Sequence, residues 1–156
     1  MFWGCFAGGR KGPGLFWEKS WGSINNETYT ERVVPLIDEW IRLNRMEGEE
    51  LVLMQDGAPA HSAAATRQAL EQRGVTIIYW PPYSPDLNPI EMCWNWMKDY
   101  IQDKWGVDEH PTYPRLRRYV QEAWQELSES FIQELLDTMH NRCVAVIEVN
   151  GMHTRY

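Results

Sequence analysis

Two carboxylates stand at positions from which acidic side chains can act together. Asp56 closes the apolar run of residues 51–55 and precedes Gly57, a pattern typical of a buried strand that ends in a sharp turn. Glu91 is the third residue of a predicted helix that has Asn88 as its N-cap and Pro89 at its first position. Because open α/β sheets bind ligands at strand ends, we expect both acids to face one pocket. Their hard oxygen atoms suit Mg²⁺ or Mn²⁺.

Each acid also has a simpler interpretation when it is taken alone. Asp56 can be a turn residue, since Asp-Gly is a common turn pair. Glu91 can form a capping box with Asn88. Asp86 can extend the acidic cluster, but after Pro85 an Asx-type turn is the preferred interpretation.

Three polar residues are weaker candidates for neighbours of the site. His61 follows Asp56 by five residues and can sit near a phosphate or activate water, although a surface histidine in the first turn of a helix is an equal alternative. Asn95 and Lys98 lie one and two turns beyond Glu91 on the same predicted helix face. They can touch a DNA backbone, but a solvated face is the simpler interpretation.

The elements that must position these residues alternate between strands and helices. Residues 1–6 and 15–17 predict a hairpin around the Gly- and Pro-rich turn region 7–14, and residues 75–80 predict a further strand. Apolar spacing predicts a helix over residues 29–43 that Pro35 kinks or splits, and another over residues 60–72 that Gly74 terminates.

The remainder of the chain is predicted to be helical. Helices begin near Pro89, at Pro114 and at Ser128 or Ser130, the last continuing to about Ile147. The pattern predicts a single α/β domain, residues 1–156, with a helical C-terminal layer.

Composition restricts the function further. The 156 residues carry a net charge of −7, which argues against nucleic-acid binding by bulk positive charge but not against a metal-dependent nuclease. Three scattered cysteines without a CxxC pair predict neither a zinc site nor a disulfide framework. The sequence shows no signal peptide and no apolar run of membrane-spanning length, so we expect no membrane partner and no secretion.

Two segments together resemble a known family. Residues 54–61, MQDGAPAH, and residues 80–91, WPPYSPDLNPIE, look like the second and third acidic motifs of mariner-superfamily DDE transposases. The 34 residues at positions 57–90 that separate Asp56 from Glu91 match the spacing common in that family. The hairpin region and the end of the chain, residues 139–156, are also similar to the family.

The resemblance implies a ribonuclease H-like mixed sheet with flanking helices and metal-dependent cleavage and strand transfer of DNA. Asp56 and Glu91 would be ligands of a two-metal site for Mg²⁺ or Mn²⁺, with transposon ends and target DNA as partners. His61, Asn95 and Lys98 would be neighbours of that site. The implied location is the nucleus in a eukaryote and the cytoplasm otherwise.

The chain departs from the family pattern before its first strand. The family's first catalytic Asp lies on a central strand that would precede residues 1–6, and the family's helix-turn-helix domain lies further upstream. We therefore expect a partial catalytic domain that lacks this central strand, holds an incomplete metal site and has little or no activity alone. The alternatives are a non-catalytic interaction or homo-oligomerisation module and a metal-independent hydrolase that uses Asp56 and Glu91 as an acid–base pair.

Overall fold

The computed structural model describes residues 1–105 and 110–156. These residues form two compact units, each with its own packing. The first unit comprises Met1–Gly4 and Gly12–Ser84, and the second comprises Cys5–Lys11 and Pro85–Tyr156. Both units therefore draw residues from the N-terminal hairpin, and the assignment of the whole chain to one domain stays a prediction.

The N-terminal hairpin has a tighter turn than its sequence predicts. Strands β1 (Phe2–Ala7) and β2 (Arg10–Phe16) pair in a two-stranded sheet. Gly8 and Gly9 alone form the turn, with φ of 53° and 77°. Positive φ at both positions is the requirement of a type I′ hairpin loop, and glycine meets it without strain. The predicted turn over residues 7–14 was wrong, since residues 10–14 belong to β2. Pro13 is tolerated there because both strands of a two-stranded sheet are edge strands.

The first unit contains four α-helices, of which the first two follow the predicted pattern. Helix α1 (Asn26–Arg32) begins with a capping box, in which the Asn25 side chain accepts from the Thr28 amide. Helix α2 (Val34–Met46) starts after a break at Val33. Pro35 lies in its first turn, which confirms the predicted split.

The predicted helix over residues 60–72 is two helices instead. Helix α3 (Pro59–Ser62) ends at Ala63, whose ψ of 139° leaves the helical region, and α4 (Ala64–Glu71) follows. The buried hydroxyl of Thr66 donates to the Ala60 carbonyl oxygen at 2.7 Å and so replaces a helical amide donor. Gly74, with φ of 69°, follows the end of α4 as predicted.

Two predicted strands of the first unit are reduced to one parallel bridge. Leu53 pairs with Ile77, and the bonds run from the Leu53 amide to Thr76 O at 2.8 Å and from the Ile78 amide to Leu53 O at 3.0 Å. The expectation that residues 51–55 are buried was wrong, since none of them is buried and Val52 is 55% exposed. A parallel strand is buried when both of its faces are covered.

The core of the first unit lies around α1 and α2. Its buried apolar side chains come from both helices, from the segment after β2 and from the region of α3 and α4. They are Trp17, Tyr29, Val33, Val34, Ile37, Ile41, Ala60, Leu70 and Val75. Tyr29 belongs to this core, and it also contacts residues of the site described below.

The second unit is helical, as predicted. Helix α5 (Ile90–Trp105) packs on α6 (Tyr113–Glu126), where Trp94 and Trp124 stack with ring centroids 5.8 Å apart. Ser128 caps α7 (Glu129–Asp137) by accepting from the Phe131 amide.

The predicted single helix up to Ile147 was wrong. Helix α7 is followed by Thr138, whose hydroxyl donates to Leu135 O at 2.6 Å, and α8 (Met139–Glu148) begins at the next residue. Within the described ranges, none of the helices combines the length and the apolar character that crossing a bilayer requires.

The hairpin turn gives a prediction about stability. A Cβ on Gly9 would lie 3.1 Å from Gln133 Oε1 and 3.6 Å from Glu129 O on α7, whereas a Cβ on Gly8 would meet nothing within 4 Å. We expect Gly8→Ala to lower the free energy of unfolding by about 1–2 kcal/mol, the cost of a left-handed backbone. Gly9→Ala should lower it further, because it adds the close contact. Urea denaturation measures both values, and equal losses would contradict the close approach.

Candidate metal-binding site

Asp56 lies between the Leu53/Ile77 bridge and α3, in a turn that holds one of its carboxylate oxygens. Oδ1 accepts a hydrogen bond from the Ala58 amide at 3.1 Å and lies 2.6 Å from His61 Nδ1. The side chain is 53% exposed. No partner of Oδ2 exists within residues 1–105 and 110–156. Asp56 is thus both the turn residue that Asp-Gly suggests and a carboxylate with one oxygen available to a cation.

His61 is not the surface histidine that one interpretation predicted. Its side chain is only 19% exposed, and its ring centroid lies 4.5 Å from that of Tyr29. The Tyr29 hydroxyl donates to Gln55 Oε1 at 3.1 Å, and Gln55 Nε2 donates to the His61 carbonyl at 3.4 Å. His61 therefore contacts Asp56 directly, while a role toward phosphate or water stays a prediction.

Glu91 lies in the first turn of α5, where the helix dipole favours a negative charge. In the part of the chain that the structure describes, its carboxylate forms neither a hydrogen bond nor an ion pair, so the capping-box alternative was wrong. The predicted N-cap was also wrong, because α5 begins at Ile90 and the buried Asn88 Oδ1 accepts no hydrogen bond from the described residues. The backbone N–H of Asn88 donates to Pro85 O in the preceding 3-10 turn.

Asn95 and Lys98 lie on the exposed surface of α5. Lys98 Nζ donates to Asn95 Oδ1 at 3.4 Å, so the two side chains contact each other. This arrangement agrees with a solvated helix face, and contact with DNA stays a prediction.

Asp86 has a role that neither sequence interpretation foresaw. It lies in the 3-10 turn Pro85–Leu87, is buried, and accepts from the Thr154 amide through Oδ2 at 3.0 Å. Arg142 Nη1 donates to its carbonyl oxygen at 2.7 Å. Both the Asx-turn and the acidic-cluster interpretations were therefore wrong, since the carboxylate ties the end of the chain to the turn that leads into α5.

Arg142 is the centre of this tie. It is 3% exposed, its Nε donates to the Thr138 hydroxyl at 2.8 Å, and its guanidinium lies 4.9 Å from the Tyr156 ring centroid. We call Asp86, Arg142, Thr154 and Tyr156 the C-terminal clamp. Local patterns could not reveal it, because Arg142 and Thr154 are 56 and 68 positions from Asp86.

The clamp also sets the charge state of Asp86. Burial by itself would raise the pKa of this carboxyl, but hydrogen bonds from the Thr154 hydroxyl and amide, with the positive charge of His153, hold the pKa below its ordinary value. The cysteines contrast with this: burial raises the pKa of Cys5 and of Cys93 to about 12. Both stay protonated at neutral pH and are poor metal ligands.

The oxygen donors of Asp56 and Glu91 fit the chemistry of a hard divalent cation. Their number is smaller than a complete site needs. Over residues 1–105 and 110–156, three or more His, Cys, Asp or Glu side chains nowhere gather closely enough to hold one metal ion. The donor type of each acid thus fits Mg²⁺ or Mn²⁺.

Comparison with known proteins identifies the family. Residues 21–111, more than half of the chain, match the DDE superfamily endonuclease domain. The chain belongs to this family, which confirms the assignment made from the two acidic motifs.

Its relatives are transposases of the Tc1/mariner group. The Tcb1 transposase of Caenorhabditis briggsae and the Tc1 transposase of Caenorhabditis elegans are each 30% identical over 156 residues. These alignments cover 100% of this chain and 54% of each relative. The chain therefore spans about half the length of the curated relatives that it matches.

The Mos1 transposase catalytic domain, solved with raltegravir and Mg, has the same fold. The TM-score is 0.70 at 18% identity, covering 85% of this chain and 66% of that one. The match to the Mos1 paired-end complex with the left transposon end has a TM-score of 0.71 at 18% identity, and it covers 92% of this chain and 41% of that one. These matches confirm the ribonuclease H-like fold class, which the described residues represent by many helices, a two-stranded sheet and one bridge.

The clamp predicts a pH-dependent contribution to stability. Asp86→Asn keeps the shape but removes the charge, and we expect it to lower the free energy of unfolding at pH 7 by about 1–3 kcal/mol. The pKa of Asp86 is lower in the folded protein than in the unfolded chain, so its charge contributes fully to the free energy of unfolding above the ordinary pKa of about 3.9. It is lost as the pH falls through the lower folded value.

Urea denaturation of wild type and variant over a series of acidic pH values checks this. The difference in the free energy of unfolding between wild type and Asp86→Asn should become smaller below about pH 4. Asp99→Asn, at an exposed position of α5, is the matched control and should differ little from wild type at any pH. A difference for Asp86→Asn that stays constant into the acid range would contradict the charged clamp.

Proposed function

We propose that this chain forms part of the catalytic domain of a Tc1/mariner-type transposase and takes part in metal-dependent cleavage and strand transfer of DNA. The family match and the transposase relatives support the reaction class. The observation that carries the proposal within the chain is Asp56, a carboxylate with one oxygen held by the protein and the other without a partner in the described residues. The complete reaction belongs to this proposal, because the chain spans only half of its relatives' length.

Asp56 and Glu91 are the proposed metal ligands. Asp56 offers Oδ2, and Glu91 offers a carboxylate that carries no hydrogen bond in the described part of the chain. Oxygen donors favour Mg²⁺ or Mn²⁺, and the Mos1 catalytic domain has been solved with each of these metals.

A divalent cation held there would stabilise negative charge on the attacking and leaving oxygens of a DNA phosphodiester. The chain's own residues fix where that happens. Asp56 and Glu91 are two of the acidic residues behind the net charge of −7, so a phosphate meets repulsion until a cation neutralises these side chains. Transposon ends and target DNA are the proposed substrates, by analogy with the Mos1 complex with a transposon end.

Metal binding is the first test. We expect Asp56→Ala and Glu91→Ala each to weaken Mn²⁺ binding, measured by titration with electron paramagnetic resonance, because each removes an oxygen ligand. Asp99→Ala, which removes an exposed acid of α5, is the control for general loss of charge. Losses no larger than that of the control would refute the ligand assignment.

Strand cleavage is the second test. We expect the chain alone to nick supercoiled plasmid weakly or not at all. Any nicking should require Mg²⁺ or Mn²⁺ and should disappear in Asp56→Ala, because the metal supplies the stabilisation of the leaving oxygen. A chelator separates this function from its competitor. Nicking that survives chelation but not Asp56→Ala would favour a metal-independent acid–base hydrolase.

A further inference from the structure

We propose that His61 is a positioning residue, which fixes the Asp56 carboxylate so that only Oδ2 is presented to a divalent cation. The inference rests on the proposed role of Asp56 as a metal ligand and adds a specific partner that controls it. It depends on the contacts among Gln55, Asp56, Ala58 and His61, with Tyr29 packed behind them.

The first step concerns the two oxygens of Asp56. Oδ1 receives the Ala58 amide at 3.1 Å and faces His61 Nδ1 at 2.6 Å. An ionised carboxylate oxygen can only accept, so Nδ1 carries the hydrogen in this contact. Because two donors occupy Oδ1, the lone pairs that remain available to a cation are those of Oδ2. Asp56 therefore acts as a ligand through one oxygen.

The second step concerns how His61 reaches Asp56. Pro59 starts α3, and the Ala58 carbonyl accepts from the amides of His61 and Ser62, both at 2.9 Å. Side chains in a helix lean toward its N-terminus. His61 therefore leans back over the turn toward Asp56.

The third step concerns what holds the imidazole in place. Tyr29 is 2% exposed and its ring packs against that of His61, while its hydroxyl donates to Gln55. Gln55 in turn donates to the His61 carbonyl, so the residue before Asp56 and the residue that orients it are tied to each other. Asp56 loses its side-chain freedom when the protein folds rather than when a cation arrives, which favours binding.

Three substitutions at His61 separate orientation from packing. His61→Asn can place an amide nitrogen close to the position of Nδ1, His61→Gln places it further out, and His61→Ala removes the donor. Titration with Mn²⁺ at one fixed pH is the readout, and thermal unfolding checks that each variant is folded. We expect His61→Ala and His61→Gln to weaken Mn²⁺ binding by about tenfold or more. His61→Asn should bind Mn²⁺ with an affinity close to that of wild type.

A second readout does not involve a metal. Crystal structures of the metal-free wild type and His61→Ala should show a single Asp56 side-chain orientation in the former and several in the latter. A single, unchanged Asp56 orientation in His61→Ala would overturn the proposal whatever the metal affinities are.

The outcomes distinguish this inference from the function on which it rests. If Asp56→Ala loses Mn²⁺ binding but His61→Ala does not, the positioning role is overturned and the proposed function stands. If wild type binds Mn²⁺ no better than Asp56→Ala, the proposed function fails and the inference falls with it. If His61→Ala does not fold, the comparison of Asn with Gln decides, and equal affinities overturn the inference.

Discussion

A carboxylate that binds a cation at the protein surface has to be accessible and yet fixed in orientation. Exposed aspartates ordinarily rotate freely, and holding one still costs conformational entropy. In this chain the turn after the Leu53/Ile77 bridge meets both requirements, because Asp56 is half exposed while one of its oxygens is bonded to Ala58 and His61. The available oxygen and the fixed oxygen belong to the same side chain, and the remaining contacts of the turn maintain that division.

Glu91 is positioned by a different means. Its side chain has no bond within the described residues, so its place depends on the backbone at the start of α5. The turn Pro85–Leu87, which precedes that start, is held by Arg142 and Thr154 through Asp86. Burying a guanidinium is costly and lowers the pKa of Arg142, but the carbonyl of Asp86, the hydroxyl of Thr138 and the Tyr156 ring compensate the buried charge.

The elements that sequence predicts well are those whose cause is local. Asn25 caps α1 with Thr28, Pro35 lies where the helix splits, and Ser128 caps α7, all within a few residues of their partners. The segments 51–55 and 75–80 also carry a clear strand pattern, but the number of bonds a strand forms depends on distant partners. In the described residues those segments meet in one bridge, which their composition cannot specify.

The same distinction separates the two acids from the residues that orient them. Asp56 and Glu91 are recognisable from their types, their spacing and their surrounding motifs, all of which are local features of the sequence. The sequence supports a functional and a surface interpretation of His61 equally, and the structure decides against the surface one because Tyr29, from another helix, packs against its ring. Asp86 looks like a turn residue until Thr154 is found on its carboxylate. Side-chain bonds between distant segments leave no periodic pattern, so the contacts of His61 and Asp86 are visible only in the structure, whereas the proposed ligands Asp56 and Glu91 can be picked out of the sequence.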